Sequence, residues 1–223
     1  QALEFFVKDQ GGGLLMVGGE SSFGSGGYHD SPVDKLLPVS MELKSEHRKL
    51  STALAIVMDR SGSMGAMVGG MTKMDLANNG AVNAINLLGD NDYISVIAVD
   101  SEPNTFVTMR QLRGQRQGII SKTKSIQAMG GGIYVFNGLE AAYAELRGVP
   151  SQTRHVILFS DAQDTEQPGD YKKLIEAMVA DEMSISVIGL GTDKDVDAPL
   201  LADIAKRGKG RIFFTENAAD VPV

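Results

Sequence analysis

The chain has 223 residues and a formal net charge of −7, with acidic and basic residues interspersed. Nucleic acids and anionic membranes attract clustered lysine and arginine, so this charge argues against both as general partners. The absence of cysteine excludes disulfides, thiolate metal sites and a cysteine nucleophile, and no apolar run approaches the ~20 residues that cross a bilayer.

Residues 1–48 differ in composition from the rest of the chain. A helical pattern over residues 2–10 precedes a glycine triplet and an apolar run at 14–17, which predicts a strand. A loop rich in glycine and serine follows, and residues 36–43 suggest one more short strand. This is too little to close a core, so we expect a partial segment that packs on, or leads into, a second domain at 49–223.

Residues 49–223 alternate between apolar runs and helical patterns. The apolar runs cover residues 54–58, 93–99, 156–159, 185–190 and 212–214. They are apolar nearly throughout, as expected of parallel strands buried on both faces, whereas residues 105–109 alternate and suggest an antiparallel edge strand. The helical patterns cover residues 73–88, 117–126, 137–146, 171–180 and 198–206.

This alternation predicts an α/β fold, with a doubly wound, mostly parallel six-stranded sheet that has helices on both faces. The expected strand order is 3-2-1-4-5-6, as in Rossmann-like folds. Thr72 and Asp75 resemble a capping box, which predicts that a helix begins between them.

Acidic and hydroxyl side chains follow two of the predicted strands. The run Asp59-Arg60-Ser61-Gly62-Ser63 comes directly after the first strand, and Asp161 follows the fourth. In the order 3-2-1-4-5-6 these two strands flank the point where the order reverses, at which open α/β sheets bind ligands. Two carboxylates and two hydroxyls would form an all-oxygen site, which hard cations such as Mg²⁺ prefer. The alternative is a plain strand-to-helix turn with ordinary Asx and serine hydrogen bonds.

The motif Asp59-x-Ser61-x-Ser63 resembles the metal-ion-dependent adhesion site of von Willebrand factor type A domains. The glycine loop at 130–132 and the strand end at 159–161 occur in the same order as in that family, and the resemblance covers about residues 49–223. It implies that Ser61 and Ser63 bind metal directly, while Asp59 and Asp161 act through water. It also implies Mg²⁺ as the cofactor, with Mn²⁺ or Ca²⁺ as alternatives, and a protein partner whose acidic side chain completes the coordination.

One residue departs from the family pattern. The family places a threonine ligand just after the glycine loop, and that position is Ile133 in this chain. An isoleucine cannot coordinate a metal, so we expect weaker metal binding or none. Tyr134, Ser101 and Asp164 are candidate substitutes.

Three functions remain open. The first is a non-enzymatic binding module for adhesion or scaffolding, which recognises its partner through the metal. The second is a metal-independent structural or assembly domain in which the metal site has degenerated at Ile133. The third is a metal-assisted hydrolase that uses Asp59 and Asp161. Because no general base of the usual kind accompanies these acids, we expect that the protein is not an enzyme.

A second resemblance concerns the N-terminal segment. Residues 7–19 are similar to part of a class I glutamine amidotransferase-like domain. An active glutaminase needs a nucleophilic cysteine, which this chain lacks, so we expect no catalysis from this segment. In some bacterial membrane proteins such a domain neighbours an A domain, and a larger membrane-tethered bacterial protein is therefore one implied context. The sequence itself indicates no compartment.

Overall fold

The structure is a computed structural model that describes residues 2–18, 31–39, 51–161 and 169–215. The chain divides into two compact units, Gln1–Lys49 and Leu50–Val223. Within the described parts of the chain, no helix is long and apolar enough to cross a bilayer.

The described residues of the first unit form helix α1 (Ala2–Lys8) and a single 3-10 turn (Asp34–Leu36). Residues 11–18 have no regular secondary structure, so the strand predicted at 14–17 is wrong. The physical reason is exposure, because Leu15 is 86% exposed and Val17 83% exposed, and a strand forms when its side chains are packed against neighbours. The strand suggested over 36–43 is absent from 36–39, and residues 40–43 lie outside the described ranges.

The second unit alternates strands and helices. Its described strands are β1 (Thr52–Asp59), β2 (Met67–Val68), β3 (Met71–Thr72), β4 (Tyr93–Val99), β5 (Pro103–Gln111), β6 (Thr153–Ser160), β7 (Met183–Leu190) and β8 (Lys209–Thr215). Its described helices are α2 (Lys73–Leu87), α3 (Arg116–Lys124), α4 (Val135–Leu146), α5 (Tyr171–Ala180) and α6 (Ala198–Arg207).

Six of these strands form one sheet in the order β5-β4-β1-β6-β7-β8. All neighbours are parallel except β4 and β5, so β5 is the predicted antiparallel edge strand. Strands β2 and β3 form a separate hairpin. When the six strands of the large sheet are numbered by themselves along the chain, their order is the expected 3-2-1-4-5-6. The predicted fold class is confirmed. The hairpin was not predicted, because strands of two residues each are too short to show a pattern.

Apolar layers cover both faces of the sheet. Successive residues of β1 point to opposite faces, so that Val57 joins the layer under α4, α5 and α6, while Ile56 joins the layer under α2 and α3. Strand β1 is buried throughout from Ala53 to Asp59. Each large apolar side chain buried in this way contributes about 1.5–3 kcal/mol to stability. The sheet therefore holds the end of β1, and with it Asp59, in a fixed and dry position.

The predicted capping box is present at the start of α2. The Asp75 backbone N–H donates to the Thr72 hydroxyl at 3.0 Å, and the Thr72 backbone N–H donates to the Asp75 carboxylate at 3.0 Å. These reciprocal bonds satisfy helix N–H groups that have no partner inside the helix. They fix Lys73 as the first residue of α2.

Helix α4 lies close against the sheet because residue 138 is glycine. A Cβ atom added to Gly138 would lie 2.8 Å from Cγ1 of Val57 and 2.9 Å from Cγ2 of Val99. We expect Gly138→Ala to lower the free energy of unfolding by about 1–3 kcal/mol, measured by urea denaturation, because the backbone or the valines must shift. Gly118→Ala is the matched control, since Gly118 lies in α3 with nothing within 4 Å of an added Cβ. It should gain about 0.5–1 kcal/mol from helix propensity, and similar losses in both variants would contradict this packing.

Candidate metal centre

The four predicted site residues lie together at the carboxyl edge of the sheet. Asp59 ends β1, and Ser63 lies just beyond it in a 3-10 turn (Gly62–Gly65). Asp161 directly follows β6, which pairs in parallel with β1 so that Met58 lies opposite Phe159. Because parallel neighbours end at the same edge, the expectation that both strand ends face one crevice agrees with the structure.

A chain of contacts joins the four side chains. The Ser61 backbone N–H donates to Asp59 Oδ1 at 2.8 Å, and the hydroxyl oxygens of Ser61 and Ser63 lie 3.0 Å apart. The Ser63 hydroxyl then donates to Asp161 Oδ1 at 3.0 Å. The first bond is the Asx-type bond of an ordinary turn. The last one reaches another strand 98 residues away in sequence, which a plain turn does not explain.

Asp59 is fully buried and bonded at both carboxylate oxygens. Its second oxygen accepts a bond from the hydroxyl of Ser160 at 2.9 Å, a contact that sequence reasoning missed. Burial raises the pKa of Asp59 to about 6, with a further increase from the Asp161 charge, while the bonds from Ser61 and Ser160 oppose the shift. A carboxylate that is costly to ionise in this position would be stabilised by a nearby cation.

Lys73 is a second residue that sequence reasoning missed. Its Nζ atom lies 3.0 Å from Asp161 Oδ2, and the two side chains are 9% and 0% exposed. Both oxygens of Asp161 therefore have partners, with Ser63 at one and Lys73 at the other. A signal existed in the sequence, because a lysine at the first position of a helix is opposed by the helix dipole. Such a residue is expected to have a compensating anion.

Backbone bonds hold the turn that contains the serines. The Arg60 backbone N–H donates to the Val99 carbonyl at 2.9 Å, and the Arg60 carbonyl accepts from the Met129 N–H at 2.7 Å. The Gly62 N–H donates to the Gly131 carbonyl at 3.2 Å. The Arg60 guanidinium also forms an ion pair of 2.7 Å with the carboxylate of residue 100. The end of β4 and the glycine loop thus support the turn from two sides, as a metal site requires.

Ile133 supplies no polar atom to the crevice. It is fully buried in the apolar layer that also contains Val135 and Leu139. Of the candidate substitutes, Ser101 faces the glycine loop, since its hydroxyl lies 3.6 Å from the Cβ position of Gly131. Tyr134 donates its backbone N–H to the Asp100 carbonyl at 3.0 Å. The third, Asp164, lies outside the described residues, and a ligand role for any of the three stays a prediction.

The chemistry of the donor set fits a hard divalent cation. Two carboxylates and two hydroxyls offer only oxygen atoms, and Mg²⁺ readily keeps water in its remaining positions. Within the described part of the chain, no cluster of three or more histidine, cysteine or acidic side chains could hold a metal ion. The serines would therefore have to provide a large share of the protein ligands.

Comparison with a family model identifies the domain that contains the site. Residues 54–163 match the model of the von Willebrand factor type A domain, a range that begins in β1 and includes all four site residues. The chain therefore contains a von Willebrand factor type A domain.

Two curated proteins are similar to this chain in sequence. An uncharacterised protein of Synechocystis sp. is 24% identical over 186 residues, which are 82% of this chain and 42% of that protein. The ssl1 subunit of general transcription and DNA repair factor IIH from Schizosaccharomyces pombe is 34% identical over 83 residues, 37% of this chain and 20% of that protein. The chain thus spans less than half the length of either relative.

Solved structures show the same fold. BatB from Bacteroides thetaiotaomicron has a TM-score of 0.66 at 18% identity, over 75% of this chain and 91% of that one. A von Willebrand factor type A protein of Catenulispora acidiphila has a TM-score of 0.65 at 22% identity, over 77% of this chain and 40% of that one. Proximal thread matrix protein 1 from mussel byssus has a TM-score of 0.61 at 16% identity, over 76% of this chain and 42% of that one. Its metal-ion-dependent adhesion site is occupied by zinc. The pilus adhesin SpaC of Lactobacillus rhamnosus has a TM-score of 0.61 at 15% identity, over 77% of this chain and 29% of that one.

These comparisons do not support the amidotransferase-like resemblance of residues 7–19. The structure agrees with them as far as it describes this segment, because the strand that the resemblance requires is absent at residues 14–17.

The raised pKa of Asp59 makes the stability of the metal-free protein depend on pH. Between about pH 4 and pH 6 the folded protein keeps a proton that the unfolded chain has lost, so stability falls as pH rises through this window. Asp59→Asn has no charge to bury, accepts from Ser61 and donates to the oxygen of Ser160. We expect it to flatten this dependence and to add about 1–3 kcal/mol at neutral pH.

Urea denaturation with chelator across this pH range measures the effect. Asp193→Asn, which changes an exposed aspartate outside helices and strands, is the control and should leave the profile unchanged. An Asp59→Asn protein that is less stable than wild type at neutral pH would show that burial is not the dominant effect on this carboxylate.

Proposed function

We propose that this domain is a protein-binding module that contacts its partner through a divalent metal at the carboxyl edge of the sheet. The observation that supports this most directly is the chain of contacts from Asp59 through Ser61 and Ser63 to Asp161. It brings oxygen ligands from two strands within hydrogen-bonding distance of one another before any cation is added. Such preorganisation lowers the cost of binding a metal.

In this proposal each side chain has a distinct role. The hydroxyls of Ser61 and Ser63 would bind the metal directly, and the carboxylates of Asp59 and Asp161 would supply negative charge. The metal would provide a positive charge at the sheet edge, to which an acidic side chain of the partner binds. Mg²⁺ is the first candidate, with Mn²⁺ and Ca²⁺ as alternatives. The zinc-occupied site of the mussel byssus protein supports metal binding in this fold without identifying the metal here.

We further propose that the module is not an enzyme. The one histidine among the described residues, His155, lies near the amino end of β6, whereas Asp161 follows its carboxyl end. His155 is bonded to Ser184 at 2.7 Å, and burial lowers the pKa of its imidazole. Neither feature suits a general base for water bound between Asp59 and Asp161. Phosphoester turnover with Mg²⁺ or Mn²⁺ that vanished in Asp59→Ala would instead favour a hydrolase.

Ser63→Ala tests the metal site with little risk to the fold, because Ser63 is only partly buried. We expect the Kd for Mn²⁺ or Mg²⁺, measured by titration calorimetry, to rise about tenfold, since one direct oxygen ligand is lost. Capture of the partner from the native host should weaken in parallel and should be abolished by EDTA in the wild type. Ser125→Ala, at the exposed end of α3, is the control. No metal binding by the wild type at millimolar concentration would refute the proposal.

A second candidate is a metal-independent assembly domain, and two observations favour it. Ile133 replaces the threonine of the family pattern, and Lys73 already neutralises Asp161. In such a domain, partner binding would persist in EDTA and in Ser63→Ala.

Ile133→Thr examines whether the lost threonine limits metal binding. Under the metal-dependent proposal we expect a several-fold lower Kd for Mg²⁺, measured by calorimetry, because a hydroxyl returns beside the glycine loop. Burying that hydroxyl should also lower the free energy of unfolding, by about 1–3 kcal/mol. Ile133→Val has the same shape as threonine without the oxygen, so it separates lost packing from gained ligation. Identical metal binding by the two variants would mean that position 133 does not reach the metal.

A further inference from the structure

The cation that the structure places in the crevice is the ammonium of Lys73. We propose that Lys73 is a tethered cation that competes with the metal for Asp161, so that a divalent ion binds fully only when the lysine leaves that carboxylate. This inference rests on the proposed metal site and adds a residue that controls its affinity. It gives the crevice two states, one closed by lysine and one loaded with metal.

The contact itself indicates competition. Lys73 Nζ lies 3.0 Å from Asp161 Oδ2, and Ser63 occupies the other oxygen of the same carboxylate. Because Asp161 is fully buried, its attraction to the ammonium is screened far less than at a surface. A metal that takes up Asp161 must therefore replace an existing charge pair and not simply neutralise a free anion.

The backbone holds the lysine in this place. The Lys73 N–H donates to the Ala66 carbonyl at 3.0 Å, and the Ala66 N–H donates to the Ser63 carbonyl at 2.9 Å. The capping box between Thr72 and Asp75 fixes the same helix end from the other side. The backbone of Lys73 is therefore tied to the turn that contains the predicted ligand Ser63, and its side chain is only 9% exposed.

Charge balance leads to the same conclusion. When both carboxylates are ionised, they and the one ammonium leave the crevice with a single net negative charge. A divalent ion added beside the ammonium would reverse that sign, in a buried site where excess charge is costly. Departure of the ammonium toward solvent would restore neutrality. The lysine also offsets the cost of burying the Asp161 carboxylate, because removing one member of a buried pair leaves the other without its partner.

Lys73→Met provides the test, since methionine keeps most of the length and removes the charge. We expect its Kd for Mn²⁺, measured by titration calorimetry, to be about tenfold lower than that of the wild type. Lys73→Arg keeps the charge and should bind no more tightly than the wild type. The matched control is Lys173→Met, because Lys173 forms an exposed ion pair of 2.6 Å with Asp170 at the start of α5. An unchanged Kd in Lys73→Met would overturn the inference.

The outcomes separate this inference from the proposed function. If only the Lys73→Met protein binds metal, the lysine blocks the site and the metal-dependent function of the wild type fails. If the wild type and Lys73→Met bind equally well, the function stands and the competition is refuted. If neither binds at millimolar Mn²⁺, both fail. Should the methionine variant not fold, as judged by urea denaturation, Lys73→Gln replaces it because glutamine can still donate to Asp161.

The wild-type protein offers a readout that needs no substitution. Acetylation of lysines by an N-hydroxysuccinimide ester, followed by mass spectrometry, reports how accessible each ammonium is. We expect labelling of Lys73 to be slow in EDTA and several-fold faster in saturating Mn²⁺, while labelling of Lys173 does not change. Continued protection of Lys73 in protein that calorimetry shows to be metal-bound would overturn the inference.

Discussion

The parallel pairing of β1 with β6 is the constraint on which the rest of the site depends. Their register, with Met58 opposite Phe159, brings two strand ends together that are about a hundred residues apart in sequence. Since β1 is the central strand and is buried along almost its whole length, the acid at its end is removed from water as well. The same geometry that makes a stable sheet therefore places buried charged side chains in a crevice at its carboxyl edge.

The two buried acids, Asp59 and Asp161, differ in the groups that compensate their negative charge. Asp59 accepts hydrogen bonds from neutral donors, the Ser61 backbone and the Ser160 hydroxyl, and burial raises its pKa despite these bonds. Asp161 has a full positive charge beside it, supplied by Lys73. Neutral hydrogen bonds compensate a buried carboxylate only in part, whereas an ion pair compensates it more fully. In the proposed metal site, the carboxylate of Asp59 would therefore gain more from a cation, and the Lys73–Asp161 pair would control how readily that cation binds.

Sequence patterns predicted most of the fold and the convergence of four side chains at one edge of the sheet, because both follow from local rules. Continuous apolar runs identified the parallel strands, and Asp59, Ser61, Ser63 and Asp161 stand at strand ends that such a sheet must bring together. Ser160 and Lys73 were missed because their roles depend on which way a side chain turns and on which distant residue it meets. The strand predicted at 14–17 failed for a related reason, since an apolar run forms a strand only where other residues cover it. The local sequence pattern was thus enough to predict the sheet, whereas the partners of the buried charged side chains depend on tertiary contacts.

The capping box at the start of α2 has a consequence for how the surface tolerates change. Thr72 is half-buried and Asp75 exposed, positions where substitutions are usually close to neutral. Here, however, they define the helical turn from which Lys73 enters the protein interior. Substitutions at these two outward-facing residues would therefore disturb a charge pair that is almost completely buried, so this helix end should change more slowly in sequence than its accessibility suggests.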